Sequence, residues 1–415
     1  MKKKLPNLFL LSTLGLSITL FCSGCVQKPD KGKAEASADL PELSFQSRKI
    51  FGEAAHWWAH CPGEITNDGI TDLIYIHQNS TGGYLAYLEG RTDHQPWESH
   101  IIAETPVNGG SFASGDLECG DMDFDGDTDL LAVKHPGEWA DAGAPAEIFW
   151  YENPGWEPRF IGQVPDAVKD MSLADFNGDN KLDLAVMTFD ENTLSVFLQV
   201  EGSEWERVLY KENYDNIHEG MGTGDFDGNG TIDVIANGHL FYNPGKNLNG
   251  EWLSENLDVK WNNQTGDWSR NATKTYARDL DKDGISEIFI SHSERSGYPL
   301  SLYRKKGPQQ WEEQVILDSI PACQTLQVFD LDLDGDYDLL AGVNLGRAVN
   351  LGYKSFQVLV LLSDNNYTSW EIMELGTEGI YNGQVADYDG DGDLDIFRYP
   401  HHEATDFFLL ENKIR

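Results

Sequence analysis

Asp121-Met122-Asp123-Phe124-Asp125-Gly126-Asp127-Thr128-Asp129 decides how this chain is read, because the stretch recurs. Copies begin at Asp175 (DFNGDNKLD), Asp225 (DFDGNGTID), Asp279 (DLDKDGISE), Asp330 (DLDLDGDYD) and Asp387 (DYDGDGDLD), and a weaker one at Glu64 (EITNDGITD). Their starts are separated by 57, 54, 50, 54, 51 and 57 residues. Oxygen side chains at positions 1, 3, 5 and 9 of a tight turn can converge on one point, which is what a hard cation such as calcium requires. The ligand sets expected are Asp121, Asp123, Asp125 and Asp129; Asp175, Asn177, Asp179 and Asp183; Asp225, Asp227, Asn229 and Asp233. The remaining three are Asp279, Asp281, Asp283 and Glu287; Asp330, Asp332, Asp334 and Asp338; Asp387, Asp389, Asp391 and Asp395. Up to about six structural calcium ions follow, at one ion per loop. Position 6 is Gly, where the chain must turn sharply, except for Asn180, a residue that tolerates positive φ. The Glu64 copy has Thr66 at position 3, which weakens it as a metal site.

What flanks the loops sets the fold. An EF-hand would place a helix on each side, but here every loop runs into β-type residues such as Leu-Leu-Ala-Val or Ile-Phe-Ile. A second pattern keeps the same phase. Trp97, Trp156, Trp205, Trp252, Trp311 and Trp370 each open a short β-like run ahead of the next loop, and one more apolar run lies between each loop and its Trp. Four strands per repeat at this period predict the blades of an all-β, seven-bladed propeller with the acidic loops in the A–B hairpins. The last repeat lacks its Trp-led strand, while Phe45-Gln-Ser-Arg-Lys-Ile stands alone before the first. That first strand is expected to complete the seventh blade and close the ring, which removes the exposed sheet edges.

Before the repeats, residues 1–24 read as an export signal: Lys2, Lys3 and Lys4, then an apolar stretch from Leu8 to Phe21. Cys22-Ser23-Gly24-Cys25 supplies small residues before a cysteine, so Cys25 is expected to carry a lipid. Val26 after it favours the outer membrane, facing either the cell surface or the periplasm. Residues 25–42 read as a tether and 43–415 as the propeller. Formal net charge is −39. Such a balance excludes nucleic acid as a partner and calls for cations. With 12 Trp, 16 Tyr and 19 Phe, disorder is not the explanation. Three cysteines remain besides Cys22 and Cys25, with no zinc-type spacing; at most one disulfide can form, and buried thiols are expected.

The loops DFNGDNKLD, DFDGNGTID and DYDGDGDLD resemble the FG-GAP/VCBS repeats of integrin α-subunit propellers and many bacterial surface proteins. The resemblance spans roughly residues 43–415. It implies calcium in the A–B hairpins of one face and ligands taken at the opposite, top face. It does not name a function, since such repeats serve adhesion, scaffolding and carbohydrate-active enzymes alike.

If the resemblance holds, the top loops carry the chemistry. The inner strands alternate, with apolar residues two and four places before each loop and polar ones three and five before: Asp116, Glu118, Asp170, Ser172, Lys274, Tyr276, Gln327, Asn382 and Gln384. The top loops gather histidines, arginines and aromatics. Trp139, Trp261, Trp268, Arg270, Arg347, Arg398 and His402 suit a sugar face and its carboxylate or sulfate. These features suggest a carbon–oxygen lyase or dehydratase that eliminates across a uronate in an acidic poly- or oligosaccharide. Such a reaction needs a group that neutralises the carboxylate, a base and an acid. Candidates are Arg295 for the first, His135, His218, His239 or His292 for the base, and Tyr276 for the acid. A non-catalytic glycan-binding, adhesion or scaffold propeller is the alternative.

Overall fold

The computed structural model describes residues 43–52, 57–79, 82–137, 144–189, 191–200, 204–211, 219–261 and 272–414. Over these residues the chain forms seven antiparallel sheets, the blades of one propeller. Six follow in chain order from Trp57–Gly63 to Trp370–Gly376. The seventh is closed as the orphan strand predicts: Phe45–Phe51 pairs with Phe407–Asn412, with Phe45 opposite Asn412. In blade 2 the innermost strand comes in two pieces, Ser111–Phe112 and Glu118–Gly120, both paired to Asp129–His135. Beside the strands, the described residues hold one short helix, Leu345–Asn350, capped by the Asn344 side chain.

The repeated residues hold neighbouring blades together. Position 2 of every acidic loop (Ile65, Met122, Phe176, Phe226, Leu280, Leu331, Tyr388) is buried. Each packs in one cluster with the aromatic that leads the outermost strand of the following blade. Trp156 joins Ile65, Trp205 joins Met122, Trp252 joins Phe176, Trp311 joins Phe226 and Trp370 joins Leu280. At the seam Trp97 meets Tyr388, ring centroids 5.8 Å apart, and Phe45 takes the tryptophan's place beside Leu331. The tryptophan period is therefore a blade-to-blade contact, and the ring closes because Phe45 supplies the missing one.

Position 9 has a structural task in all seven blades. Its carboxylate accepts the position-2 N–H, as Asp72 does from Ile65 at 2.9 Å and Asp395 from Tyr388 at 3.2 Å. In six blades the second oxygen accepts an N–H at the end of the third strand, as Asp233 does from Asn243 at 2.7 Å. The side chain there often reaches the previous blade: the amides of Asn153, Gln199, Asn243 and Asn412 donate to the carbonyls of Ile65, Met122, Phe176 and Leu331. Lys305 donates likewise to Phe226.

Candidate functional site at the channel mouth

Two regions concentrate polar chemistry. On the loop face, five loops bring three carboxylates within 4.8 Å of one another, always from positions 1, 3 and 9: Asp121/Asp123/Asp129, Asp225/Asp227/Asp233, Asp279/Asp281/Glu287, Asp330/Asp332/Asp338 and Asp387/Asp389/Asp395. These triads could hold metal ions. Position 5 lies outside them. Asp125, Asp179, Asn229, Asp283, Asp334 and Asp391 each accept the N–H two residues on, at 2.7–3.2 Å. The Asp175 loop has Asn177 at position 3, and the Asp175 carboxylate accepts the N–H groups of Gly178, Asp179 and Asn180. In the Glu64 loop the Glu64 carboxylate fills the turn itself, accepting from Asp68 and Gly69.

On the axis, the seven innermost strands enclose a channel of about 470 Å³. All nine polar positions expected from the strand alternation line it: Asp116, Glu118, Asp170, Ser172, Lys274, Tyr276, Gln327, Asn382 and Gln384. At the end opposite the acidic loops, the residues form a buried charge network across five blades. Glu219 pairs with Lys169 at 3.2 Å and with Lys274 at 3.4 Å, and accepts from Gln324 at 3.1 Å. Gln324 is held in turn by Asn344 at 2.7 Å. Lys274 lies 3.9 Å from Asp170, whose other oxygen accepts the Gly220 N–H at 2.5 Å. Asp116 accepts from Met171 of the next blade at 2.9 Å, and Glu294 pairs with Arg347 at 2.9 Å.

The environments push these carboxyls apart. Burial works to raise Glu219, but Lys169 and Lys274 prevail and hold it below the usual range. Burial and then the Glu219 charge raise Glu294 to about 8. Burial and then Asp170 raise Asp116 to about 6, and burial lifts Glu118 well above its ordinary value. At neutral pH the mouth thus holds proton-bearing and ionised carboxyls side by side, the arrangement acid–base chemistry needs. Blades 1 and 7 add an aromatic wall. Trp58 stacks on His402 with ring centroids 4.0 Å apart, Tyr381 stands edge-on to Trp58, and Asn382 donates to the Trp58 carbonyl at 3.0 Å. Burial, then Glu219, Glu294 and Asp170, hold the Tyr381 proton far more tightly than usual. His60, buried in the channel wall, is pushed down to about 4 by burial and stays neutral.

The other sequence candidates are dispersed. Tyr276 lines the channel lower down, with the Arg278 guanidinium 3.2 Å from its hydroxyl. His292 is buried, 2.6 Å from Arg295, and 4.0 Å from Asp258; Arg295 lies over the Tyr298 ring and donates to the Trp261 carbonyl. His135 is buried with both ring nitrogens bonded to nearby backbone, and His239 is buried with Nδ1 3.3 Å from the Asn237 carbonyl. Trp261 donates to Glu313 at 2.5 Å, and Arg398 donates to the Gly379 carbonyl at 2.9 Å. Arg347 and His402 belong to the mouth itself. Cys25, Trp139, His218, Trp268 and Arg270 lie outside the described residues. Glu219, Lys169, Glu294 and His60 were not among the catalytic candidates. Two signals were available: polarity at a strand position that is mostly apolar elsewhere, as at His60, and the recurring polar residues six places before the loop, Lys169, Glu219 and Gln324.

The repeated loop, the four-stranded blades and the closing strand define a seven-bladed β-propeller. The family model for the FG-GAP-like repeat matches residues 121–186, 175–236 and 279–341, so the chain carries FG-GAP-like repeats. No curated protein sequence matches the chain. Among solved structures, it is similar to the periplasmic gluconolactonase PpgL of Pseudomonas aeruginosa. That likeness has 11% identity and a TM-score of 0.47, over 85% of this chain and 94% of that one. No helix of the described residues is long and apolar enough to cross a membrane.

Proposed function

We propose that this protein is an exported, glycan-directed propeller that takes an acidic sugar at the channel mouth and eliminates across its uronate. The observation that carries the proposal is the buried network of Lys169, Lys274, Glu219, Glu294 and Arg347. It gathers three cations in one place in a chain with 30 Lys and Arg against 69 Asp and Glu. A uronate carboxylate is met there by Lys274 and Lys169, and by the proton of Glu294, which donates a hydrogen bond in place of repelling. Ionised Glu219 is placed to take the proton next to that carboxylate, and Tyr381 holds a proton for the leaving oxygen. Each of these transfers contributes roughly 10²–10⁴-fold to rate.

The acidic loops take calcium in this reading, as structural ions. The closing strand supports an orientation. Phe45–Phe51 starts beside Asn412, and the adjacent Lys413 reaches Asp389 of an acidic loop at 3.6 Å. The first described strand therefore begins, at Phe45, on the loop face.

The test is incubation of the calcium-loaded protein with a panel of acidic polysaccharides, reading the ultraviolet absorbance of the unsaturated uronate. A rise that Glu219→Gln and Tyr381→Phe abolish supports elimination. No rise on any substrate, together with measurable glycan binding, moves the site to the second reading, capture without chemistry. The Trp58–His402 plate favours that reading, since stacked rings bind a sugar face whether or not a bond is broken.

A further inference from the structure

The thiols of Cys61 and Cys119 sit on the innermost strands of blades 1 and 2, Trp57–Gly63 and Glu118–Gly120. They meet at the seam between the blades. Cys119 Sγ donates to the carbonyl of Pro62, the residue after Cys61, at 3.1 Å. A Cβ at Gly63 would stand 3.3 Å from the same sulfur, so Gly63 leaves the space that Cys119 fills. Both cysteines pack in one apolar cluster; Cys61 is 8% exposed and Cys119 half-buried. Burial, and then the neighbouring Cys119 thiol, hold the proton on Cys61 more tightly than usual. Cys323 is apart from them, on blade 6, bonded within its own strand.

We infer that Cys61 and Cys119 are a disulfide-forming pair that staples blade 1 to blade 2. Among the described residues the loops of blades 1 and 3 form no acid triad, and blade 1, with Thr66 at position 3, is one of these two. A covalent link at its edge supplies what its loop does not. The oxidant is a small-molecule or protein disulfide. The half-buried Cys119, as thiolate, attacks one sulfur of the oxidant and expels the other as a thiol, leaving a mixed disulfide. Cys61 then gives up its proton and attacks Cys119 Sγ, releasing the second thiol. In sum, two protein thiols become one disulfide and the oxidant disulfide becomes two thiols.

The experiment oxidises the folded full chain with oxidised glutathione, then alkylates under denaturing conditions and maps the peptides. The expected result is one peptide pair joined through Cys61 and Cys119, lighter by two hydrogens, with Cys323 alkylated. Cys323→Ser leaves the link intact, and Cys61→Ser or Cys119→Ser removes it. The melting temperature of oxidised protein rises by several degrees, and a reductant reverses the rise. Should either serine variant fail to fold, wild-type protein decides alone. Protection of both cysteines from alkylation after oxidation supports the staple. Recovery of both as alkylated, or Cys119 capped by glutathione with Cys61 free, overturns it.

Discussion

The loop face and the channel mouth are both built from carboxylates, and they use them in opposite ways. On the loop face the same residue types return once per blade: positions 1 and 3 at the turn, and position 9 buried beneath them. Each triad depends on one hairpin alone. At the mouth one strand position changes its chemistry from blade to blade: the fifth residue before the loop is Asp116 in blade 2, Asp170 in blade 3, Gly220 in blade 4, Lys274 in blade 5 and Asn382 in blade 7. Asp116, Asp170, Glu219, Lys274 and Glu294 each stand at a comparable height on a different strand or loop, and their partners come from neighbouring blades. Repetition marks what every blade needs in order to stay in the ring. Departure from repetition marks what the ring is used for.

Removing metal should separate the two regions most widely. An ion at a hundred-fold excess over its Kd contributes about 2.7 kcal/mol, and there are five triads. Calorimetry in calcium and then in chelator should show a fall in Tm larger than any single substitution produces. Glu294→Gln and Glu219→Gln should leave the size of that fall unchanged. An unchanged Tm in chelator would break the assignment of the loops to metal.

Next in size is the blade-to-blade aromatic. Trp252 is 1% exposed and packs edge-on against Phe176 of the preceding loop. Trp252→Ala should cost about 3–5 kcal/mol, as large-to-small changes in a core do. Phe45→Ala tests the same contact at the seam and should loosen the ring closure, read as loss of amide-exchange protection in Phe407–Asn412. Equal protection in that variant would mean the backbone pairing closes the ring without the ring contact.

The mouth has its own signature in pH. Glu294 in the folded state is raised to about 8, so from its unfolded value near 4.5 up to 8 the native protein keeps a proton that the unfolded chain gives up. Its contribution is fully present below that window and is lost as pH rises through about 8. His60, lowered to about 4, acts the other way: its contribution is present above its unfolded value and is lost as pH falls through about 4. Urea midpoints across pH should fall on the alkaline side, a limb that Asp183 and Asp258, each raised to about 7 chiefly by burial, share with Glu294. Glu294→Gln should make that limb shallower without abolishing it, and an unchanged limb would remove Glu294 from the titration.

How far each region was legible follows from the same contrast. Channel-facing positions such as Asp116, Lys274 and Gln384 were readable because alternation along a strand is local, and the closing strand because Phe45-Gln-Ser-Arg-Lys-Ile repeats a pattern seen six times. The Gln324–Glu219 bond joins residues 105 apart, and no strand period announces it. The histidines misled the eye toward the surface: His135, His239 and His292 are buried. The latches were missed as well, because Asn153, Asn243 and Asn412 look like ordinary turn residues at strand ends. Asn243→Ala removes the donor to the buried Phe176 and Ile232 carbonyls, at 2.8 and 3.0 Å, and should cost about 1–3 kcal/mol in urea unfolding.

The smallest expected effect concerns a second glycine position that the repeat conceals. Position 6 has positive φ in all seven loops, as its glycines suggest, but so does position 4: Asn67, Phe124, Gly178, Gly228, Lys282, Leu333 and Gly390. Phe124 (φ 62°) and Leu333 (φ 59°) adopt it as bulky residues, 59% and 50% exposed, with little burial to offset the strain. A left-handed conformation costs such a residue roughly 1–2 kcal/mol, while a glycine there gives up roughly 0.5–1 kcal/mol through the entropy of the unfolded chain. Phe124→Gly should therefore stabilise the protein by about 0.5 kcal/mol. The reciprocal change is Gly178→Ala, where φ is 76° and an added Cβ meets nothing within 4 Å, so the backbone alone responds. It should destabilise by a similar amount. If Phe124→Gly instead destabilises while Gly178→Ala behaves as expected, the Phe124 ring is in contact with something on the loop face that the isolated chain does not include. The repeated face would then carry a function as well as a fold.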